Sequence, residues 1–157
     1  MAVVPKLTTI AACRVARVHR DRFNEHVAAG HFECAPKTVP GRARLFDPDD
    51  MIALWLFREL MDDGLDARRA GAVACAVALE ARLHPDEKSI TYVQDYFGPD
   101  HGTAVPTSLV PAPDDWDKVL FSGSDIRKTT TFNIAKIRAL IAHYTEEERS
   151  IIGPDDD

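Results

Sequence analysis

The 157-residue chain has no uninterrupted apolar run that approaches the length of a membrane span. A spanning helix needs about 20 predominantly apolar residues, so the sequence predicts no transmembrane segment. Residues 1–9 also lack the charged leader, apolar stretch and cleavage site of a secretory signal. We therefore expect a cytoplasmic protein.

Cysteine is scarce, and the three that are present, Cys13, Cys34 and Cys75, include no CxxC pair. An odd, scattered set argues against a disulfide framework and favours a reducing compartment. Three thiols would bind a soft metal only if the fold brought them together. Because Cys13 and Cys75 lie among alanines and valines, we interpret them as small core residues.

The chain also lacks the motifs of a catalytic centre. Ser122-Gly123-Ser124 has no phosphate-loop lysine and no following helix, which predicts a turn at 122–125. His19, His26 and His31 lie close in sequence without an acidic partner at metal-ligand spacing, and we expect them at the surface or near a bound nucleic acid. No nucleophile–base pair is recognisable, so we expect neither an enzyme nor a bound metal or cofactor.

What the sequence does have is a strong division of charge. The net charge is −6, yet residues 1–46 carry eight Lys and Arg against three Asp and Glu. Residues 86–157 carry seven Lys and Arg against fourteen Asp and Glu. A phosphate-binding surface needs local positive charge rather than a positive average. The first part of the chain therefore remains compatible with nucleic-acid binding.

Apolar periodicity and turn residues predict the elements of the first 85 residues. Helices are expected over 10–15, 20–29, 48–61 and 67–83, with a tight turn at 18–19 and a stop at Gly30. Segment 31–46 contains two prolines and Gly41, which disfavour a helix. We predict a ribbon in which 32–34 pairs with 43–46 around a loop at 36–41.

The remainder predicts a small α+β module over 86–152 and a disordered acidic tail over 153–157. Alternating β-branched and aromatic residues favour strands at 89–96, 116–121 and 128–132, with a short edge strand at 107–110. An amphipathic helix is expected over 134–149. Its apolar stripe fits either the chain's own sheet or a second copy, and consists of Ile134, Ile137, Leu140, Ile141 and Tyr144.

The order of elements over 8–83, together with several local motifs, resembles the winged helix-turn-helix domain of the MerR family and its excisionase-like relatives. The motifs are Ile10-Ala11-Ala12, Phe23 with Val27 and Gly30, the run Gly41-Arg42-Ala43-Arg44-Leu45-Phe46, Asp49-Asp50 with Ile52 and Leu56, and Leu60 with Gly64-Leu65. The resemblance covers about half of the chain. It implies an α+β fold with an N-terminal DNA-binding domain over 1–85.

The chemistry of the second predicted helix agrees with that implication. A recognition helix presents a few side chains to base edges in the major groove, where arginine suits guanine and asparagine suits adenine. Arg20 and Asn24 are four residues apart, so we expect them to read bases, and Arg22 to contact the backbone. Further phosphate or minor-groove contacts are expected from Arg14, Arg17, Lys37, Thr38, Arg42 and Arg44.

These observations predict a sequence-specific transcriptional regulator of bacterial or phage-like type, a repressor that binds double-stranded DNA as a dimer. Since no long dimerisation helix follows residue 85, we expect the C-terminal module to dimerise the chain or regulate it. Two alternatives remain open. The first is an excisionase-like architectural protein that bends DNA. The second is a protein-interaction module whose acidic half mimics nucleic acid.

Overall fold

The computed structural model of the protein describes residues 5–118, 120–121 and 125–152. It is a mixed α+β protein with five helices and five strands in these ranges. The helices are α1 (Thr9–Ala16), α2 (Arg20–Ala28), α3 (Pro48–Asp62), α4 (Ala67–Leu83) and α5 (Ile134–Ile152). The strands are β1 (Leu7–Thr8), β2 (Leu45–Phe46), β3 (Ser89–Gln94), β4 (Gly102–Pro106) and β5 (Lys128–Asn133).

The strands form two antiparallel sheets. β1 pairs with β2, with Leu7 opposite Phe46. The second sheet has the order β4-β3-β5, and Tyr92 at its centre lies between Ala104 on one side and Thr130 on the other. The predicted strands at 89–96 and 128–132 are therefore present, as β3 and β5.

Side-chain caps explain why the helices begin where they do. The Asp47 carboxylate accepts a hydrogen bond from the Asp50 amide at 2.7 Å, the Asp50 carboxylate accepts one from the Asp47 amide at 2.9 Å, and Pro48 follows the cap. Asp66 caps α4 through the Arg69 amide. Such caps stabilise a helix by about 1 kcal/mol each. The predicted bounds of α4 are confirmed, and those of α3 are confirmed to within one residue.

One hydrophobic core joins the two predicted modules. Buried side chains of α1, α3 and α4 form a single cluster with those of β3, β4 and α5. Ile134, Ile137 and Ile141 of α5 are buried in it, whereas Leu140 and Tyr144 pack at its margin. The apolar stripe of α5 therefore packs inside its own chain, which decides between the two alternatives left open by the sequence.

The predicted ribbon between 32–34 and 43–46 is wrong. Phe32 is fully buried in the aromatic core, at 5.4 Å from Phe23 and 5.0 Å from Phe57 between ring centroids, and its segment forms a turn. β2 pairs with β1 instead, because Phe46 must also reach this core. The only bridge described within 31–46 joins Val39 to Arg42 across a tight turn.

Two predicted strands of the C-terminal part are also wrong. Thr107–Leu109 is a 3₁₀ turn, and the edge strand lies just before it, as β4. Residues 116–118 form a turn in which the Trp116 indole donates to the Pro111 carbonyl at 2.9 Å. Prolines around both segments remove backbone donors that a strand would need. Val119, residues 122–124 of the turn predicted at 122–125, and the predicted tail at 153–157 lie outside the described residues.

The cysteine prediction is wrong as well. Cys34 and Cys75 form a disulfide between the segment after α2 and the middle of α4, with a Cα–Cα distance of 5.6 Å. Gly71 makes the approach possible, because a Cβ there would lie 1.6 Å from the His31 carbonyl oxygen. Cys13 is a free, buried thiol as expected, and burial raises its pKa to about 11.

Candidate nucleic-acid interface

The turn between α1 and α2 fixes the angle at which α2 leaves the core. Arg17 ends α1 in the left-handed conformation, with φ 59° and ψ 42°. The Val18 amide donates to the Cys13 carbonyl at 2.8 Å, and the Arg17 amide donates to the Arg14 carbonyl at 3.3 Å. This hydrogen-bond pattern is the Schellman motif that closes many helices. α2 then starts at Arg20, after an exposed His19.

Phe23 sets the rotation of α2 about its axis. Its side chain is fully buried, and its ring centroid lies 5.4 Å from Phe32 and 5.9 Å from Phe46. With Phe23 held inside, Arg20 and Asn24, which lie one turn apart, are both exposed on the outer face. Arg22 is exposed on a different flank of the helix.

The segment after α2 folds into a projecting turn beside that outer face, and we call residues 37–44 the projecting loop. Its tip, Val39-Pro40-Gly41-Arg42, closes with a hydrogen bond from the Arg42 amide to the Val39 carbonyl at 2.9 Å. Gly41 at the third position has φ 78°, the positive value that a type II turn requires there, and Pro40 is a common residue at the second position of such a turn. Arg42 is thereby exposed at the tip.

α2 and the projecting loop together enclose a groove of about 380 Å³. Arg20 and Asn24 line it from α2, and Thr38 and Arg44 line it from the loop. The start of α1 forms the remaining wall, through Thr8, Thr9 and Ile10. The fold thus brings four of the sequence-predicted residues together. Thr8 and Thr9 were not predicted as site residues; the Thr8 hydroxyl also caps α1, because it accepts a hydrogen bond from the Ala11 amide at 3.5 Å.

The basic side chains of this surface differ from the other arginines in their partners. Within the described residues, no carboxylate lies within 4.0 Å of Arg22, Lys37, Arg42 or Arg44, and Arg20 has only Asp21 at 3.6 Å. Several arginines elsewhere form ion pairs, for example Arg82 with Asp47 at 2.9 Å. The positive charge of Lys37, Arg42 and Arg44 on the projecting loop is therefore uncompensated within the described residues, which favours an anionic ligand beside that loop.

Arg14 and Arg17 are engaged elsewhere. Arg14 forms an ion pair with Glu148 of α5 at 3.1 Å. The Arg17 guanidinium lies 5.2 Å from the ring centroid of Tyr144 and donates to its hydroxyl at 3.4 Å. Both side chains connect α1 to α5, and neither lines the groove.

Of the three histidines near α2, one is exposed and two contact each other. His19 is exposed, whereas the Nδ1 atoms of His26 and His31 lie 3.3 Å apart. The His26 ring also packs edge-on against Phe57 at 5.4 Å. Burial, and then the neighbouring His31, lower the pKa of His26. Among the described residues, no group of three His, Cys, Asp or Glu side chains is arranged to hold a metal ion.

No protein-family model matches the chain, and no curated protein is significantly similar to it. None of the described helices has the length and apolar character that crossing a bilayer requires.

Proposed function

We propose that the chain is a DNA-binding transcriptional regulator with a MerR-like winged helix-turn-helix, and that α2 is its recognition helix. The observation that carries this proposal is the groove where Arg20 and Asn24 of α2 meet Thr38 and Arg44 of the projecting loop. In a winged helix-turn-helix, the second helix enters the major groove while an adjoining loop grips the backbone. The projecting loop is the wing in this assignment.

Each side chain of the groove has a role that its chemistry supports. Asn24 makes no side-chain hydrogen bond within the described residues, so its amide is available for an adenine edge. The only ion-pair partner of Arg20 within the described residues is the exposed Asp21. An exposed ion pair contributes little to stability, so Arg20 can exchange it for a contact with guanine. Lys37, Arg42 and Arg44 contact phosphates or the minor groove. Arg14 and Arg17 are left out of the interface because α5 occupies them.

A dimer is part of the proposal, because one recognition helix reads only a short segment and many regulators read paired half-sites. The α5 stripe is unavailable for this purpose, since it packs inside the chain. β4 and β5 are the edge strands of the C-terminal sheet within the described residues. An edge strand presents unpaired backbone groups, and we assign the contact to pairing of such an edge with a second copy. Light scattering at several protein concentrations measures the oligomeric state directly.

The test begins with selection of bound sequences from random double-stranded DNA by the 157-residue chain. A selected palindrome gives the half-site spacing, and an anisotropy titration on that site gives the affinity at fixed salt. Arg20→Ala combined with Asn24→Ala is expected to weaken binding at least about tenfold, since each good base contact contributes about 1–3 kcal/mol. Arg149→Ala, which removes an exposed arginine of α5, is the matched control.

A second measurement separates base reading from phosphate contacts. Replacing Lys37, Arg42 and Arg44 by glutamine is expected to make the negative slope of log K against log salt shallower by about 0.9 for each lost phosphate contact. Unchanged affinity in the Arg20 and Asn24 double variant would refute the recognition helix. Failure to select any sequence would favour the protein-interaction alternative, and a long footprint with strong bending would favour the architectural one.

A further inference from the structure

The Cys34–Cys75 disulfide attaches the base of the projecting loop to the rest of the molecule. Cys34 lies just before the loop, and Cys75 lies in the middle of α4. Upstream of Cys34, the fully buried Phe32 fixes the chain in the aromatic core, and downstream of the loop β2 begins at Leu45. Within the part of the chain that the structure describes, the disulfide is the only crosslink between these two fixed points.

Few other contacts hold the segment between them. Among the described residues, none of 33–43 makes a hydrogen bond to a helix or strand, and none makes an ion pair. Residues 37–43 are all exposed, and a cavity of about 490 Å³ lies between the base of the loop and the end of α2. Of the apolar side chains in this segment, Cys34 and Ala35 pack on the core, and both do so only partly. The disulfide is therefore the main attachment of the loop at this end.

The crosslink is within reach of a small reagent. Both cysteines are half-buried, and both line a surface pocket of about 130 Å³. Access is one of the factors that set the rate of thiol–disulfide exchange. Asp49, Asp50 and Arg82 line the same pocket, so its carboxylates disfavour a reductant whose body carries negative charge. A small dithiol with an uncharged body fits this surroundings best.

The proposed function, on which this inference rests, gives the crosslink a setting. A bacterial transcriptional regulator acts in the cytosol, where disulfides are rare and, when present, are usually transient or redox-sensing. We propose that the Cys34–Cys75 disulfide is a redox switch of the projecting loop. A small dithiol reductant opens it and releases residues 33–44 while the core stays folded, and the released loop binds DNA more weakly.

Opening the crosslink is a thiol–disulfide exchange. A thiolate of the dithiol attacks one of the two sulfurs, so that a mixed disulfide forms while the Cys34–Cys75 bond breaks, and the other cysteine leaves as a thiolate that takes up a proton. The second thiol of the reductant then loses its proton and displaces the mixed disulfide, which leaves two protein thiols and a cyclic disulfide. Two electrons and two protons have passed from the reductant to the protein. Cys13 takes no part, because it is buried and its pKa is raised to about 11.

Release of the loop is measured without DNA, by nitrogen-15 relaxation of the 157-residue chain before and after dithiothreitol. On reduction, the order parameters of amides in 37–44 are expected to fall below about 0.6, the range of flexible backbone, while those of α3 and α4 stay near about 0.85. Removing dithiothreitol and adding 2-hydroxyethyl disulfide, which runs the exchange in reverse, should restore the loop. Cys34→Ala combined with Cys75→Ala is the matched control, with a mobile loop that does not respond to the reductant.

The consequence for binding is measured by anisotropy on the DNA that the non-reduced chain selects. Reduction is expected to weaken binding at least about tenfold, because a released loop must be ordered again in the complex and that ordering costs conformational entropy. The double cysteine variant should start at this lower affinity and keep it in dithiothreitol. Arg20→Ala combined with Asn24→Ala lowers the affinity in both redox states without changing the order of the loop, so it tests the recognition helix separately.

Three outcomes would overturn the switch. Unchanged order parameters in 37–44 after reduction would show that the loop is held by other contacts. Loss of order throughout α3 and α4 would make the disulfide a structural crosslink of the whole fold. A released loop with unchanged DNA affinity would exclude regulation of binding. Failure to select any DNA would instead refute the proposed function, and the relaxation measurement would still decide whether reduction releases the loop.

Discussion

Replacing Cys34 by alanine removes a crosslink that spans 41 residues of sequence. In the chain-entropy account, a disulfide acts by restricting the unfolded chain, and a loop of this length contributes about 4 kcal/mol. Cys34 and Cys75 are only half-buried, so the loss of packing adds little. We expect the free energy of unfolding to fall by about 4 kcal/mol, a large part of the about 5–15 kcal/mol that stabilises a typical domain.

Urea unfolding under non-reducing conditions measures the difference, with Cys75→Ala as the matched variant because it removes the same crosslink. Adding dithiothreitol should lower the stability of the wild-type protein to that of the variants and leave both variants unchanged. The number of free thiols is counted in denaturant, because burial raises the pKa of Cys13 to about 11 and makes that thiol unreactive in the folded protein. One free thiol is expected in the wild-type protein, and three thiols with no effect of reductant would refute the pairing.

Gly71→Ala is expected to destabilise the protein by about 1–3 kcal/mol in urea unfolding, because the new methyl group overlaps the His31 backbone carbonyl. Gly98→Ala is the control and should be nearly neutral, because a Cβ at Gly98 meets nothing within 4 Å. Equal effects of the two substitutions would contradict the close approach of α4 to the His31 backbone. Stability should also depend on pH through His26, whose folded pKa lies below its ordinary value of 6.5, mainly because of burial. The unfolded chain then binds the proton more readily, so this contribution is complete above pH about 6.5 and is lost as the pH falls through the folded pKa. His26→Phe should flatten that slope in urea titrations from pH about 8 to about 5, and an unchanged slope would assign the effect to another group.

The helices were predictable because their signals are local. Asp47 with Pro48 and Asp66 mark the starts of α3 and α4, and each acts through a backbone amide three residues away. Gly64 and Pro85 mark the ends. The sequence did not reveal, however, that α3 is the central helix. Residues 51–57 are buried on every side because α1, α4 and α5 all surround it.

Within the candidate interface, helical spacing alone places Arg20 and Asn24 on one face of α2. Their meeting with Thr38 and Arg44 depends on the path of the chain from 30 to 44, which no periodic pattern encodes. The same limit explains Arg14 and Arg17. Their partners on α5 lie 134 and 127 residues away in sequence, so a phosphate contact and an internal contact look identical in the sequence.

By itself, the sequence determined the helices, two strands of the second sheet and the division of charge, because capping, periodicity and composition act over a few residues. The tertiary structure alone decided which strand β2 joins, which cysteines pair and which basic residues remain uncompensated. Each of these depends on distances between segments that are remote in sequence. The joint packing of Phe23, Phe32 and Phe46, with ring centroids 5.4 Å and 5.9 Å apart, is one such contact between segments that no local pattern encodes.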